Sequence, residues 1–226
     1  TSSPSLGSDA FFSQFGHVIS HFDGNINDPD DIAALPMAAA LTYAAGAQKK
    51  STFFYNNNLG EKSSRAQAIK MKTSAAFAEK LGIDTYNYET NSAQATQALV
   101  KIFNSGKKVL ALEGGPMEAI YRALDQVSAK NLKNITLLSH GRWNENRDVI
   151  NRPGIKDVRT WDDIHKDFPT VTLIEIKDQN GKKGAGFKSA DWSWLDATSN
   201  PILKEARSLM HIEGKKVNDP SDAGML

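Results

Sequence analysis

Cysteine is absent from the 226 residues, which removes disulfides, thiolate metal sites and cysteine nucleophiles together. An excess of either charge is missing too. Lys and Arg number 27 against 26 Asp and Glu, a formal net charge of +1. Nucleic-acid affinity is built largely from clustered Lys and Arg, so this balance argues against a polyanion binder. No apolar run approaches the roughly 20 residues of a membrane-spanning helix, so no bilayer crossing is expected. The first strand-to-helix turn is acidic and lacks the G-x-G-x-x-G of dinucleotide binding. The glycine-rich turn at Glu113-Gly114-Gly115-Pro116 lacks the G-x-x-x-x-G-K-[ST] of a phosphate loop, and its acidic neighbours would repel phosphate.

What is present is an ordinary globular composition, long enough for one α/β domain over residues 1–226. The opening TSSPSLGSDA has no apolar core and reads as a mature or trimmed end, not a signal peptide; the location stays open, with periplasmic or secreted slightly favoured over cytoplasmic. The closing NDPSDAGML reads as the start of a helix cut short, so truncation at the C-terminus is expected.

Apolar β-formers at His17–Phe22, Thr52–Tyr55, Thr85–Tyr88, Lys108–Leu112, Ile135–Ser139 and Val171–Ile176 predict strands. Between them, helical periodicity covers Asp30–Gly46 (with a kink at Pro36), Lys62–Leu81, Ser92–Asn104, Pro116–Val127 and Asp162–Asp167, and Pro201–Ile212 follows. Gly141–Arg159 is a long polar stretch. Such alternation means βαβ units. The expected architecture is three-layer α/β, a mostly parallel, doubly wound sheet with helices on both faces. Ligands of such sheets sit beyond the carboxyl ends of the strands, so the residues just after each strand carry the functional reading.

After the first strand, Asp23 to Asp31 hold four carboxylates and two amides in nine residues. Helix capping by Asp28, with Pro29 at the first helical position and Asp30 and Asp31 in the first turn, accounts for part of this. Capping does not account for Asp23 and Asn25. Crowded carboxylates repel unless a cation neutralises them, and all-oxygen ligands suit a hard ion, Ca²⁺ in preference to Mg²⁺. After the second strand, Asn56-Asn57-Asn58 are turn formers or amides able to hydrogen-bond sugar hydroxyls. Glu113 to Glu118 form a tight strand-to-helix turn that also lets backbone approach a ligand. After the fifth strand, His140 is either structural or a proton donor to a leaving group. Trp143, Trp161, Trp192 and Trp194 are stacking candidates, two of them better read as core. Trp192 and Trp194 would share a face if their segment were extended. At the far end, Asp219 or Asp222 is an N-cap or a remote ligand completing the cation site.

Together these motifs resemble the nucleoside hydrolase superfamily, the inosine–uridine-preferring N-ribohydrolases and their relatives. FDGNINDPDDIAAL is similar to that family's D-x-D-x-G-x-D-D signature, and its DPDD spelling resembles a bacterial nucleoside hydrolase-like branch, some of whose members are described as cellulose-binding. Asn57 or Asn58 resembles the family Asn after the second strand, GGPMEAI its Gly-Pro-Leu-Thr-Asn turn, and NDPSDAG its late His-Asp-Pro motif. The chain departs from the pattern where Glu118 stands near the family Asn, where Asn218 replaces the late His, and where LLSHGRWNEN replaces a Met-Gly-Gly turn. These departures mark either a different sugar substrate or lost catalysis.

The resemblance implies a Ca²⁺-dependent hydrolase acting on a nucleoside-type glycosyl bond, with Asp23, Asn25, Asp31 and Asp222 on the metal. Asp30 is the expected base, interchangeable with Asp31, and His140 serves the leaving group. Asn57, Asn58, Glu113, Glu118, Trp143 and Asn144 line the substrate. The partner is a small sugar or nucleoside, without nucleic acid or membrane, and self-association stays open. One alternative is a non-catalytic carbohydrate-binding protein on the same scaffold. Another is a phosphatase, since VISHFDGN resembles the D-x-D-G-T strand end of haloacid-dehalogenase-type enzymes; there His21 stands where the nucleophilic Asp belongs, and phosphoaspartate chemistry cannot run.

Overall fold

In the computed structural model the described residues are 13–23, 30–57, 65–146, 158–177, 193–210, 223 and 225. The strands are β1 (His17–Phe22), β2 (Ser51–Tyr55), β3 (Asp84–Asn87), β4 (Val109–Gly114), β5 (Ile135–Ser139) and β6 (Thr172–Glu175). All five pairings are parallel, in the order β3-β2-β1-β4-β5-β6. The helices are α1 (Asp30–Ala44), α2 (Arg65–Lys80), α3 (Tyr88–Phe103), α4 (Glu118–Leu124), α5 (Ala129–Leu132), α6 (Arg142–Glu145), α7 (Trp161–Asp167), α8 (Ser193–Asp196) and α9 (Pro201–Leu209). This is the expected three-layer α/β arrangement. Among the described residues no helix is long and apolar enough to cross a membrane.

Burial on both faces explains why the central strands are mostly apolar. Every residue of β2 and β4 is buried, and so are five of the six in β1. One face packs Phe22, Phe53 and Tyr55 against α1, α2 and α9, through Ile32, Leu35, Met71, Phe77 and Ala206. The alanines of α1 let that helix lie close, and Pro36 sits inside it. The other face packs Ile19, Phe54, Ala111 and Leu137 against Leu99 and Phe103 of α3, Ile120 of α4, and Trp161 and Ile164 of α7.

Helix ends follow local chemistry. After α2, Gly82 adopts φ 88°. Its N–H donates to the Glu79 carbonyl and the Ile83 N–H to that of Ala78, the pairing that satisfies terminal carbonyls. The third strand and the following helix shift from expectation. The Asn87 side chain accepts from the backbone N–H of Glu89 and Thr90 at 2.9 and 3.2 Å. The chain therefore turns into α3 at Tyr88, four residues before Ser92. Asn91, non-helical at φ −149° and ψ 62°, separates this early turn from the body of the helix. The polar stretch after β5 also holds the short α6.

Candidate functional site

The strand order reverses between β1 and β4, so the crevice beyond their carboxyl ends is the place where such sheets take ligands. From β1 it receives Asp23, which follows the strand and is 3 % exposed. From β2 it receives Asn57, 1 % exposed. From β4 it receives the Gly114-Gly115 turn that leads into α4. The β5 end adds His140, also buried.

Asn57 reaches across the mouth of β1 onto β4. A Cβ built on Gly115 would lie 2.9 Å from the Asn57 Cγ and closer still to its Oδ1, so a side chain at 115 would displace this amide. Both Asn57 amide atoms are buried, and neither has a hydrogen-bond partner.

Below the crevice, His21 and Glu113 are register partners on adjacent strands. The His21 Nδ1 and Glu113 Oε2 lie 2.9 Å apart with both side chains fully buried. Neither ring nitrogen of His21 and neither carboxylate oxygen of Glu113 makes an aligned hydrogen bond. Phe54 and Tyr88 flank the imidazole at 5.1 and 6.0 Å between ring centroids. Burial, and then the Glu113 charge, push the Tyr88 hydroxyl far above its ordinary range, so it stays protonated. The in-register row continues through Ser139 on β5 to Glu175 on β6. Beside it, Glu145 of α6 is 4 % exposed. Burial raises its carboxyl pKa, against a lowering hydrogen bond from Ser139.

The expected residues divide. Asp23, Asn57, Glu113 and His140 gather at the carboxyl edge of β1, β2, β4 and β5. Asn144 lies on α6 with its Oδ1 buried and without a partner. Glu118, on the first turn of α4, has both carboxylate oxygens engaged, one by Arg122 Nε at 2.5 Å and the other by the backbone N–H of Arg159 at 2.7 Å. Asp30 and Asp31 open α1; nothing is described of their side chains, nor of that of Trp143 in α6. Asn25, Asn58, Trp192, Asp219 and Asp222 lie outside the described residues. Trp161 is core, and Trp194 is 54 % exposed on the helical α8, so the extended arrangement that would pair it with Trp192 is not found at that residue.

Among the described residues no three His, Asp or Glu side chains form a cation-binding group. The four expected ligands are all oxygen donors, which suits Ca²⁺, and Asp23 is the one whose side chain is described. His21 is the residue that sequence reasoning undervalued. The available signal was an ionisable side chain near the end of a buried strand, matched by Glu113 near the end of another. No family model matches the chain, and neither a curated protein nor a solved structure matches it.

Proposed function

We propose that this chain is a nucleoside hydrolase-like enzyme that breaks an N-glycosyl bond with the help of a bound Ca²⁺. The observation that carries the reading is the gathering of Asp23, Asn57 and Gly115 at the reversal of strand order, where α1 begins with Asp30 and Asp31. Asp23, Asn25, Asp31 and Asp222 would hold the ion. Bound there, Ca²⁺ supplies a positive centre for sugar hydroxyls and a more acidic water. Asp30 takes the proton of the attacking water. Asn57 orients the sugar by hydrogen bonds from its amide. Asp23 and the carboxylates that follow it in sequence would favour the positive charge that grows on the sugar ring as the bond breaks. His140 donates a proton to the departing base or holds it by a hydrogen bond.

The test is release of free base or reducing sugar from a panel of nucleosides and glycosides, with Ca²⁺ and with chelator. Asp30→Asn is expected to lower the rate by about 10²–10⁴-fold, the usual share of a positioned base, with unchanged unfolding. Hydrolysis equal to that of the unaltered chain removes Asp30 from the mechanism. Ca²⁺-dependent sugar binding without release by the unaltered chain replaces the enzyme with a carbohydrate-binding protein.

A further inference from the structure

We propose that a cleft on the outer flank of β3 is a binding site for a free basic α-amino acid, of the lysine or arginine type, separate from the crevice beyond the strand ends. The inference does not depend on the glycosyl-hydrolase reading.

The cleft has a volume of about 450 Å³, within the range of small-ligand pockets. β3 lies at the edge of the sheet, so its outer side has no neighbouring strand among the described residues. Lys49 comes from a short helical turn, Gln48–Lys50, that leads into β2. Glu79 comes from the last turn of α2. Asp84, Thr85 and Tyr86 come from β3, and Gln94 from α3. All of them line the cleft.

Lys49 brings one positive charge, and Glu79 and Asp84 bring two negative ones. Among the described residues no ion pair joins Lys49 to either carboxylate. Opposite charges that share a cleft without pairing are left for the charges of a ligand. The Thr85 hydroxyl donates to Glu79 Oε1 at 2.5 Å, which fixes that carboxylate beside the strand and leaves its other oxygen for a further donor. Gln94 Oε1 accepts from Asn91 Nδ2 at 2.7 Å, so what the Gln94 amide has left to offer is its N–H donors. The Tyr86 ring stacks on Phe54, with centroids 5.3 Å apart and planes at 18°. It is thereby held as an aromatic wall that suits a cation.

The charge pattern identifies the ligand class. A simple anion would meet two carboxylates, and a simple amine would leave Lys49 unmatched. An amino acid with a neutral side chain matches one charge of each sign and leaves the second carboxylate over. A basic amino acid carries one carboxylate, one α-ammonium and one side-chain cation, the inverse of Lys49, Glu79 and Asp84. Complementarity of this kind selects among ligands more than it adds raw affinity.

The experiment is calorimetric titration of the purified chain at low ionic strength, where exposed charges are least screened. The probes are L-lysine, L-norleucine, which lacks the side-chain ammonium, and cadaverine, which lacks the carboxylate. L-lysine is expected to bind about threefold to fivefold more tightly than either, the worth of one good exposed ion pair. Lys49→Met is expected to weaken L-lysine by a similar factor without weakening cadaverine. Asp84→Asn and Glu79→Gln are each expected to weaken both, and the glutamine keeps an acceptor for the Thr85 hydroxyl. Thermal unfolding checks each variant, and should one fail to fold, the comparison of probes on the unaltered chain decides. Cadaverine bound as tightly as L-lysine overturns the amino acid in favour of a diamine. L-norleucine bound as tightly overturns the basic side chain. No binding of L-lysine, or binding that none of the three substitutions alters, overturns the site.

Discussion

Two sets of polar side chains, one at each edge of the sheet, differ in how far their hydrogen bonds are met. At the edge where strands begin, Asn104 follows α3 and its Oδ1 accepts from the Ser128 backbone N–H at 3.0 Å, the Ser128 hydroxyl at 3.0 Å and Asn131 Nδ2 at 3.2 Å. Asn131 Nδ2 also donates to the Asn104 carbonyl. His17, first residue of β1, meets the Thr52 hydroxyl at 2.9 Å. At the edge where strands end, His21 of that same strand shares one contact with Glu113, and neither side chain makes an aligned hydrogen bond. Asn57 makes none at all. One strand thus carries a bonded histidine at its start and an unsatisfied one four residues later. Unmade hydrogen bonds in a dry place are costly, about 1–3 kcal/mol for each stranded group. The first edge is built for stability. The second leaves polar groups unsatisfied at the edge where sheets of this kind take ligands.

Separating stability from ligand binding tests that contrast, and the largest effect is expected at the His21–Glu113 pair. Glu113→Ala leaves an imidazole alone in the core and is expected to lower the unfolding free energy by about 3–5 kcal/mol, the usual cost of breaking a buried pair. The double variant His21→Leu with Glu113→Leu removes both polar groups, and its stability is expected to come within about 1 kcal/mol of the unaltered chain or above it. Urea unfolding measures both. A double variant as unstable as Glu113→Ala would mean that the pair itself holds the sheet together, and the contrast between edges would fail.

A smaller effect is expected at the other edge. Asn104→Ala takes their acceptor from both Ser128 donors, while Asn131 Nδ2 keeps the Asn104 carbonyl and the Ser128 hydroxyl, and Asn104 and Ser128 are near the surface where water replaces part of what is lost. Destabilisation of about 1–2 kcal/mol is expected, with any glycosyl release unchanged. A change in release would show that the bonded edge also serves the site.

Much of this architecture was legible in the chain, for a physical reason. Strands of a covered sheet are rich in apolar residues, so His17–Phe22, buried along nearly its whole length, and Ile135–Ser139, buried at alternate residues, stand out with their ends correct. Gly82 marks the end of α2 because a left-handed cap needs it. The start of α3 was hidden, because Asn87 caps a turn whose residues, Tyr88 to Asn91, do not resemble a helix. At the site, Asp23 and Asn57 were legible from their positions just after strands. The His21–Glu113 contact was not, since 92 residues separate the two and only parallel register brings them together. The partners of Glu118 were hidden likewise, because the Arg159 backbone that binds its carboxylate is 41 residues away.

The smallest expected effect sharpens the contrast within β1 itself. Burial, and then the nearby Lys107 charge, lower the pKa of His17 below its ordinary 6.5, against a weaker raising influence of Asp84. The unfolded chain therefore takes up a proton at a pH where the folded chain does not. By linkage, stability rises with pH through this window, and the contribution is lost as pH falls below 6.5 toward the lowered folded value. His17→Gln cannot take up that proton, yet keeps a polar group for the Thr52 hydroxyl. Between about pH 7.5 and 5.5, spanning the ordinary histidine value, the melting temperature of the unaltered chain should drop further than that of His17→Gln. Every other titrating group is common to both chains, so the difference between the two drops belongs to His17. Equal drops would mean that the imidazole at the bonded edge protonates as freely folded as unfolded, and that its contact with Thr52 is looser than the 2.9 Å separation implies.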